Sequence, residues 1–274
     1  MDFLKKIKKL YSISDEDNNG YNEETIIELE DKLKIRLPKA LRDYYLQLGK
    51  NWHINEIDMI LYRLDGSLDI HERDTCPYIS SSAPEWKMIF GLETENEEVN
   101  STIKKICSSF ANHHIKYAWD SGYLIFCTDV EGAFSWGIKL SDLNKDNPIV
   151  SAICNYPGYT HGWDNWKEIF ELDKFLLEMA YSNGAFGGLR YYAISDINES
   201  PLDHNAKKII KNNWKEIKEI SKNTLRKSVK YFTNDNTEIL WYSSDQLYMG
   251  TSDPEKMQNM LNMFDLKWSS CRIK

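Results

Sequence analysis

The side chains best placed for catalysis are three carboxylates close to a predicted strand turn, Asp120, Asp129 and Glu131. Two carboxylates can act as general acid and general base when their environments hold their pKa values apart. The aromatic loop HGWDNW at residues 161–166 could lie beside them. Carboxylates in turns are usually solvated charges, however, and nothing in the sequence supplies a pocket around these. We therefore expect no enzymatic activity and keep a carboxylate-dependent enzyme as an alternative.

Metal binding and nucleophilic catalysis have weaker support. The chain has no CxxC or HExxH pattern, and the adjacent His113 and His114 would point in different directions on a strand or a helix. The five cysteines lie outside nucleophile motifs. Three of them, Cys107, Cys127 and Cys154, sit in apolar patterns that are typical of buried thiols. We expect neither a metal nor any other cofactor.

Charge is unevenly distributed along this chain of formal net charge −8. Residues 51–190 hold 11 basic and 21 acidic residues, a net −10, whereas residues 191–274 hold 13 basic and 11 acidic residues, a net +2. An acidic surface repels phosphates, so we expect no direct nucleic-acid binding. The same surface favours a basic protein partner.

Several features indicate a soluble protein of the cytoplasm. No apolar run approaches the roughly 20 residues of a membrane span, so we expect no membrane contact. The N-terminus carries lysines without the apolar stretch of a signal peptide. The odd number of widely spaced cysteines is typical of a reducing compartment.

The elements that would position these groups begin with a pair of helices. Asn22 can cap the first helix, whose apolar residues recur at helical spacing. Pro38 suits the first turn of the second helix, and Gly49 is a candidate left-handed terminator. Such a helical hairpin needs a surface to pack on.

A sheet and a closing helix follow the helix pair in the sequence. A hairpin is predicted at Asp65-Gly66 and a connecting helix over residues 99–110. Three strand-like runs come next, YLIFCTD, GAFSWGIKL and PIVSAI. Leu172 to Met179 form the apolar stripe of a closing helix that ends near Gly184. The following glycines lack the lysine of a phosphate-binding loop and therefore indicate a helix end. The expected class is α+β, with a mainly antiparallel sheet.

The last third of the chain has a different pattern. Residues 204–221 are predicted as one basic helix with Trp214 and Ile217 on its buried side. Three short strands follow, KSVKYFT, EILWYS and QLYMGT, and Asp253-Pro254 opens a final helix. We expect a first domain at residues 1–192 and a smaller α/β unit at residues 193–274, either separate from the first or docked on it.

Three segments together resemble the SUKH superfamily. They are, in order, LEDKLKIRLPKALRDYYLQLG, YLIFCTDVEGAFSWGIKLSDLNKDNPIV and WKEIFELDKFLLEMAYSNGAFGG. The resemblance spans residues 22–192. That superfamily includes many bacterial immunity proteins of polymorphic toxin systems and a yeast regulator of cell-wall assembly. The resemblance implies an α+β fold and a function in binding rather than catalysis.

One strand carries what resembles the signature of that superfamily, the pair Trp136-Gly137. The superfamily often has a Glu-Asn-Gln run in the turn just before it, where this chain has Asp129, Val130 and Glu131. On a strand, Trp136 should face the core, and Gly137 should permit close packing or a bulge.

We therefore expect a protein that binds and neutralises a cognate toxin domain, a basic nuclease or deaminase. The alternative is a regulatory or scaffold protein with a host partner. The candidate contact residues are carboxylates that suit a basic partner and aromatic residues of the kind enriched in binding hot spots. They are Glu93, Glu95, Glu97, Glu98, Asp129, Glu131, Tyr159, Trp163, Asp164 and Trp166.

Overall fold

A computed structural model describes most of the chain outside one long central segment. The described residues are 2–33, 35–61, 64, 122–130, 134–154, 165–221, 229–243 and 245–273. The hairpin predicted at Asp65-Gly66 and the helix predicted over residues 99–110 lie outside them. The class is α+β, as the sequence predicts.

Short helices form the N-terminal part of the molecule: α1 (Asp2–Tyr11), α2 (Glu23–Leu33), α3 (Lys39–Leu48) and α4 (Trp52–Asn55). The predicted cap of α2 is confirmed, because Asn22 Oδ1 accepts a hydrogen bond from the Thr25 amide at 2.8 Å. Helix α1 was not among the predicted elements. Its apolar residues nevertheless recur at helical spacing, and all are buried: Phe3, Leu4, Ile7 and Leu10.

The predicted left-handed conformation of Gly49 is wrong. Gly49 has φ −60° and ψ −24°, which is right-handed helical backbone. A Cβ at this position would lie 2.7 Å from the Tyr21 ring and 2.8 Å from the Tyr45 carbonyl oxygen. The glycine therefore permits close approach of the chain that precedes α2.

The first sheet is antiparallel, with its strands in sequence order across it. It contains β1 (Met59–Leu61), β2 (Tyr123–Asp129), β3 (Phe134–Lys139), β4 (Ile149–Cys154) and β5 (Lys167–Glu171). Strands β2 to β4 confirm the three predicted runs. The edge strand β5 was missed, because its sequence KEIFE alternates too briefly to mark a strand.

The closing helix is α5 (Leu172–Asn183), followed by a π-helical turn (Gly184–Gly188). Asn183 ends α5 and is fully buried. Its side-chain amide donates to the carbonyl oxygens of Ile54 and Met59 at 2.7 and 2.8 Å, and its side-chain oxygen accepts from the Asp58 and Met59 amides at 3.0 and 2.8 Å. These four bonds fix the end of α5 to the segment that joins α4 to β1.

The second sheet is also antiparallel, with strand order β11-β6-β10-β9-β8-β7. Its strands are β6 (Tyr191–Ser195), β7 (Lys215–Glu216), β8 (Lys230–Asn234), β9 (Glu238–Ser243), β10 (Gln246–Thr251) and β11 (Trp268–Arg272). Helices α6 (His204–Asn213), α7 (Lys218–Ser221) and α8 (Pro254–Asn262) accompany it. The cap of α8 by Asp253 is as predicted.

The single helix predicted over residues 204–221 is wrong. Helix α6 ends at Asn213, and Trp214 has extended backbone at φ −128° and ψ 146°. The indole Nε1 of Trp214 donates to the buried Glu238 carboxylate at 2.6 Å. Lys215 then pairs with Thr233 as β7, so tertiary contacts override the local helical pattern.

Helix α5 lies between the two sheets and is shared by both. Phe175 packs against rings of the first sheet, and the Tyr231 hydroxyl of the second sheet donates to the Glu178 carboxylate at 3.1 Å. One buried apolar cluster contains side chains from both sheets. The second sheet therefore packs against the part of the chain that contains the first sheet. The division into two domains at residue 192 stays a prediction.

Candidate functional site

Two of the three described cysteines are buried. Cys127 is fully buried, and burial raises the pKa of its thiol well above the usual value. Cys154 is also buried, which confirms the sequence expectation for both residues. Because the thiolate is the reactive form, the Cys127 side chain is not prepared for covalent catalysis. Within the described ranges, no cluster of His, Cys, Asp or Glu residues could hold a metal ion.

Two of the ten predicted contact residues lie in the described part of the chain, and they are far apart. Asp129 ends β2, where its carboxylate accepts a hydrogen bond from the Phe134 amide at 3.1 Å. Trp166 stacks on Tyr123, at the other end of β2. Six residue steps separate these ends, or about 20 Å of strand. The remaining candidates lie outside the described residues: Glu93, Glu95, Glu97, Glu98, Glu131, Tyr159, Trp163 and Asp164.

The face of the first sheet that contacts α5, the inner face, is an apolar core. Trp136 is 5% exposed, and its ring centroid lies 5.8 Å from that of Phe175. Phe126 meets the same ring edge to face, at 5.4 Å between centroids. The prediction that Trp136 is a core residue is confirmed.

The opposite face of the first sheet, which we call the outer face, has a glycine beneath the Trp166 indole. Gly137 follows Trp136 and therefore faces outward. A Cβ at Gly137 would lie 3.1 Å from the Trp166 ring and 3.1 Å from the Leu124 carbonyl oxygen. The close packing predicted at Gly137 is confirmed, with Trp166 as the neighbour. In the pairing of β2 with β3, the register shifts between Ile125 and Cys127 of β2.

Trp166 is held by a parallel stack on Tyr123. Their ring centroids are 4.1 Å apart, with 12° between the ring planes. Beside this stack, Lys139 donates to Glu168 at 2.5 Å, and this bond raises the pKa of the Lys139 ammonium. Both charged side chains are partly exposed. The outer face thus carries the aromatic pair Tyr123 and Trp166 next to the ion pair Lys139 and Glu168.

Two polar atoms of the outer face are buried without a hydrogen-bond partner in the described part of the chain, Ser151 Oγ and Trp166 Nε1. Ser151 is 1% exposed and is the cross-strand neighbour of Gly137. Buried polar groups that lack a partner cost free energy. Among the described residues, no hydrogen bond offsets the burial of the Ser151 hydroxyl or of the Trp166 indole N–H.

Sequence reasoning found Trp166 but missed the groups around it. Tyr123 and Ser151 were assigned to strands without a side-chain role, and the pair Lys139 and Glu168 was not considered. The sequence held a weak signal of this site. The outward positions of β3 and β4 include serine and glycine, whereas a strand that is buried on both faces carries apolar residues there. The arrangement can stack, accept and donate hydrogen bonds, and pair charges, which is the chemistry of recognition.

Comparison with known proteins gives one match. The model of the SMI1/KNR4 family (SUKH-1) matches residues 20–177, which is more than half of the 274-residue chain. No curated protein and no solved structure gives a significant match. The matched residues include the strands β1 to β5. Among the described residues, no helix has the length and apolar composition needed to cross a membrane.

Proposed function

Since the chain belongs to the SMI1/KNR4 family (SUKH-1), we propose that it is an immunity protein that binds and neutralises a cognate toxin domain in the cytoplasm of the producing cell. Proteins of this family are generally non-catalytic and are consistent with an immunity or a regulatory role. The toxin would be a nuclease or a deaminase. The family match is the observation that carries the proposal.

Charge supports a toxin that acts on nucleic acid. Residues 51–190 carry a net −10 from 21 acidic and 11 basic residues. A nuclease or deaminase domain needs a basic cleft for its substrate, and an acidic protector can both accelerate association and occupy that cleft. The glutamates at 93, 95, 97 and 98 are the proposed source of this attraction.

The outer face of the first sheet is the proposed anchor of the interface. Trp166 and Tyr123 present a stacked aromatic pair, and tryptophan and tyrosine are enriched in binding hot spots. Trp163, three residues before Trp166 in the sequence, is proposed to contribute to the same interface, whereas Asp129, at the far end of β2, is proposed to form a separate contact with Glu131.

The test is growth rescue combined with binding kinetics. Where a toxin gene lies immediately upstream, co-expression of the chain with that toxin domain should restore growth, and the purified proteins should associate. Lysine at positions 93, 95, 97 and 98 should slow association and flatten its salt dependence, whereas Trp163→Ala or Trp166→Ala should mainly speed dissociation. Each of the two tryptophan-to-alanine changes should lower the affinity for the toxin domain by about tenfold or more.

The control is Met263→Ala, which removes a side chain that is 42% exposed in the C-terminal part of the chain. It should change neither rate constant. Unchanged rates in the glutamate and tryptophan variants would place the interface elsewhere. Absence of a toxin gene upstream across several genomes would favour the regulatory role, with a host protein as partner.

A further inference from the structure

A second surface of opposite charge lies where α4 meets the π turn and the second sheet. We call it the Trp52 surface and define it by Trp52, His53, Tyr192 and Arg272. Trp52 is 50% exposed, although it is a large aromatic side chain. Its ring stacks on His53 with centroids 3.7 Å apart, so the indole is held in a fixed orientation.

Arg272 joins this aromatic pair to the second sheet. Its guanidinium donates to the carbonyl oxygens of Gly187, Leu189 and Arg190 at 3.1, 2.7 and 2.9 Å. The guanidinium carbon also lies 4.9 Å from the Tyr192 ring centroid. These contacts fix the cation on an aromatic surface, where it remains exposed.

Backbone geometry brings the two halves of the surface together. Gly187 has φ 141°, a conformation that favours glycine, and a Cβ there would lie 3.9 Å from both Ile57 and Tyr192. The His53 carbonyl oxygen would lie 2.1 Å from a Cβ at Gly188. The two glycines therefore let the π turn lie against α4, with Tyr192 at the same junction.

Arg272 differs from the arginines of the N-terminal part of the chain. Arg36 and Arg42 form ion pairs with carboxylates. Arg272 forms no ion pair within the described part of the chain, and the Arg190 guanidinium lies elsewhere, 5.5 Å from the Tyr191 ring centroid. Burial and the nearby Arg272 lower the pKa of His53, so its imidazole is neutral at neutral pH. The positive charge here comes from arginine.

We propose that the Trp52 surface docks an acidic segment of a second protein, with a carboxylate paired to Arg272 and an apolar or aromatic side chain on Trp52. The Nη1 group of Arg272 donates to none of the three carbonyl oxygens and can donate to a carboxylate, and an exposed tryptophan is a typical binding anchor. This partner differs in charge from the basic toxin domain and binds elsewhere, so the proposal goes beyond the immunity function.

A protein segment fits this surface better than a nucleic acid. Nucleic-acid affinity comes from several phosphate contacts made together by lysine and arginine. The Trp52 surface supplies one arginine, Arg272, on a chain of net charge −8. Repulsion by the rest of the molecule would therefore oppose a long polyanion, whereas a short acidic segment can reach the surface locally.

The experiment uses the full chain and a fluorescein-labelled peptide of glutamates interrupted by two tryptophans. Fluorescence anisotropy should show salt-sensitive binding that Trp52→Ala weakens by about tenfold or more. Arg272→Gln should weaken binding to a similar extent. Because Arg272 also holds three carbonyl oxygens, Arg272→Lys serves as a second variant that keeps the charge while removing most of those bonds, and it should retain more binding than Arg272→Gln.

Matched controls are Met263→Ala, for an exposed apolar side chain, and Lys211→Gln, for an exposed cation on α6. Both should bind the peptide as the native chain does. The proposal is overturned if the peptide does not bind, or if the controls weaken binding as much as the test variants. Equal or tighter binding of a lysine–tryptophan peptide, or of an oligothymidylate of the same length, would also overturn it. No toxin enters the assay, so its result is independent of the proposed immunity function.

Discussion

Both sheets lie next to α5 on one face, and their opposite faces are covered differently. The second sheet is closed on its far face by α6 and α8, whose buried residues join an apolar cluster with strand residues such as Leu240. The outer face of the first sheet carries Gly137, Ser151 and the Trp166 stack instead. A face closed by apolar packing contributes stability, whereas one with buried polar atoms and small residues is suited to contacts made with another molecule.

The part of the chain that contains the first sheet and the part that contains the second are joined by α1. Helix α1 contacts both, because the Tyr11 hydroxyl donates to the Ala180 carbonyl oxygen at 2.8 Å and Ser252 Oγ donates to the Leu10 carbonyl oxygen at 2.9 Å. Lys6 pairs with Glu219 of α7 at 3.2 Å. The family match begins at residue 20 and ends at residue 177, so α1 and the second sheet lie outside it while sharing its core.

The largest expected effect tests whether that core is one folding unit. Trp136→Ala should destabilise the chain by about 3 to 5 kcal/mol, as large-to-small aromatic changes in cores do. If α5 couples the sheets, the loss should appear as one earlier transition for the whole chain in urea. Hydrogen exchange measured separately in β3 and β9 would check this.

A second sheet that retained its own, unshifted transition would contradict the shared unit. Such a result would support two domains divided at residue 192. Trp166→Ala is the matched control on the outer face of the same sheet. It should cost much less stability than Trp136→Ala, since the Trp166 ring is packed mainly on Gly137 and Tyr123.

An intermediate effect is expected in the second sheet alone. Glu238→Ala removes the acceptor of the Trp214 indole N–H, a buried bond of 2.6 Å. A buried donor without an acceptor costs about 1 to 3 kcal/mol, so the unfolding midpoint should fall. Glu238→Gln keeps an acceptor oxygen and should lose less. Equal losses in the two variants would show that the bond is not what stabilises this site.

The sequence could predict the elements whose pattern is local. Leu172, Phe175 and Met179 recur at helical spacing, and α5 follows them; YLIFCTD corresponds to β2 without error at either end. The end of α6 could not be predicted in this way, because the residue that sets it, Trp214, bonds to a carboxylate 24 positions away. Local propensity carries no information on such a contact.

The same limit applies to the candidate site. Trp166 could be chosen by residue type, since tryptophan in a polar loop is a typical contact residue. Its stack on Tyr123 and its packing on Gly137 depend on the order of strands in the sheet. That order follows from long-range pairing, which a pattern of short apolar runs does not determine.

The smallest expected effect separates the two sheets most sharply, because it differs in sign between them. Ser151 in the first sheet is 1% exposed, and its hydroxyl has no hydrogen-bond partner among the described residues. Ser195 in the second sheet is fully buried, and its hydroxyl accepts from the Leu247 amide at 2.9 Å. The same change to alanine therefore removes an unsatisfied group from one sheet and a satisfied one from the other.

Ser151→Ala should leave the free energy of unfolding unchanged or raise it by up to about 1 kcal/mol, because the buried hydroxyl no longer has to be desolvated without a partner. Ser195→Ala should lower it by about 1 to 3 kcal/mol, since the Leu247 amide loses its acceptor. Urea unfolding of both variants measures the difference. If the Ser151 hydroxyl is used by a partner on the outer face, Ser151→Ala should weaken toxin binding while keeping or raising stability. A loss of stability at Ser151 equal to that at Ser195 would contradict the distinction between a recognition face and a packed one.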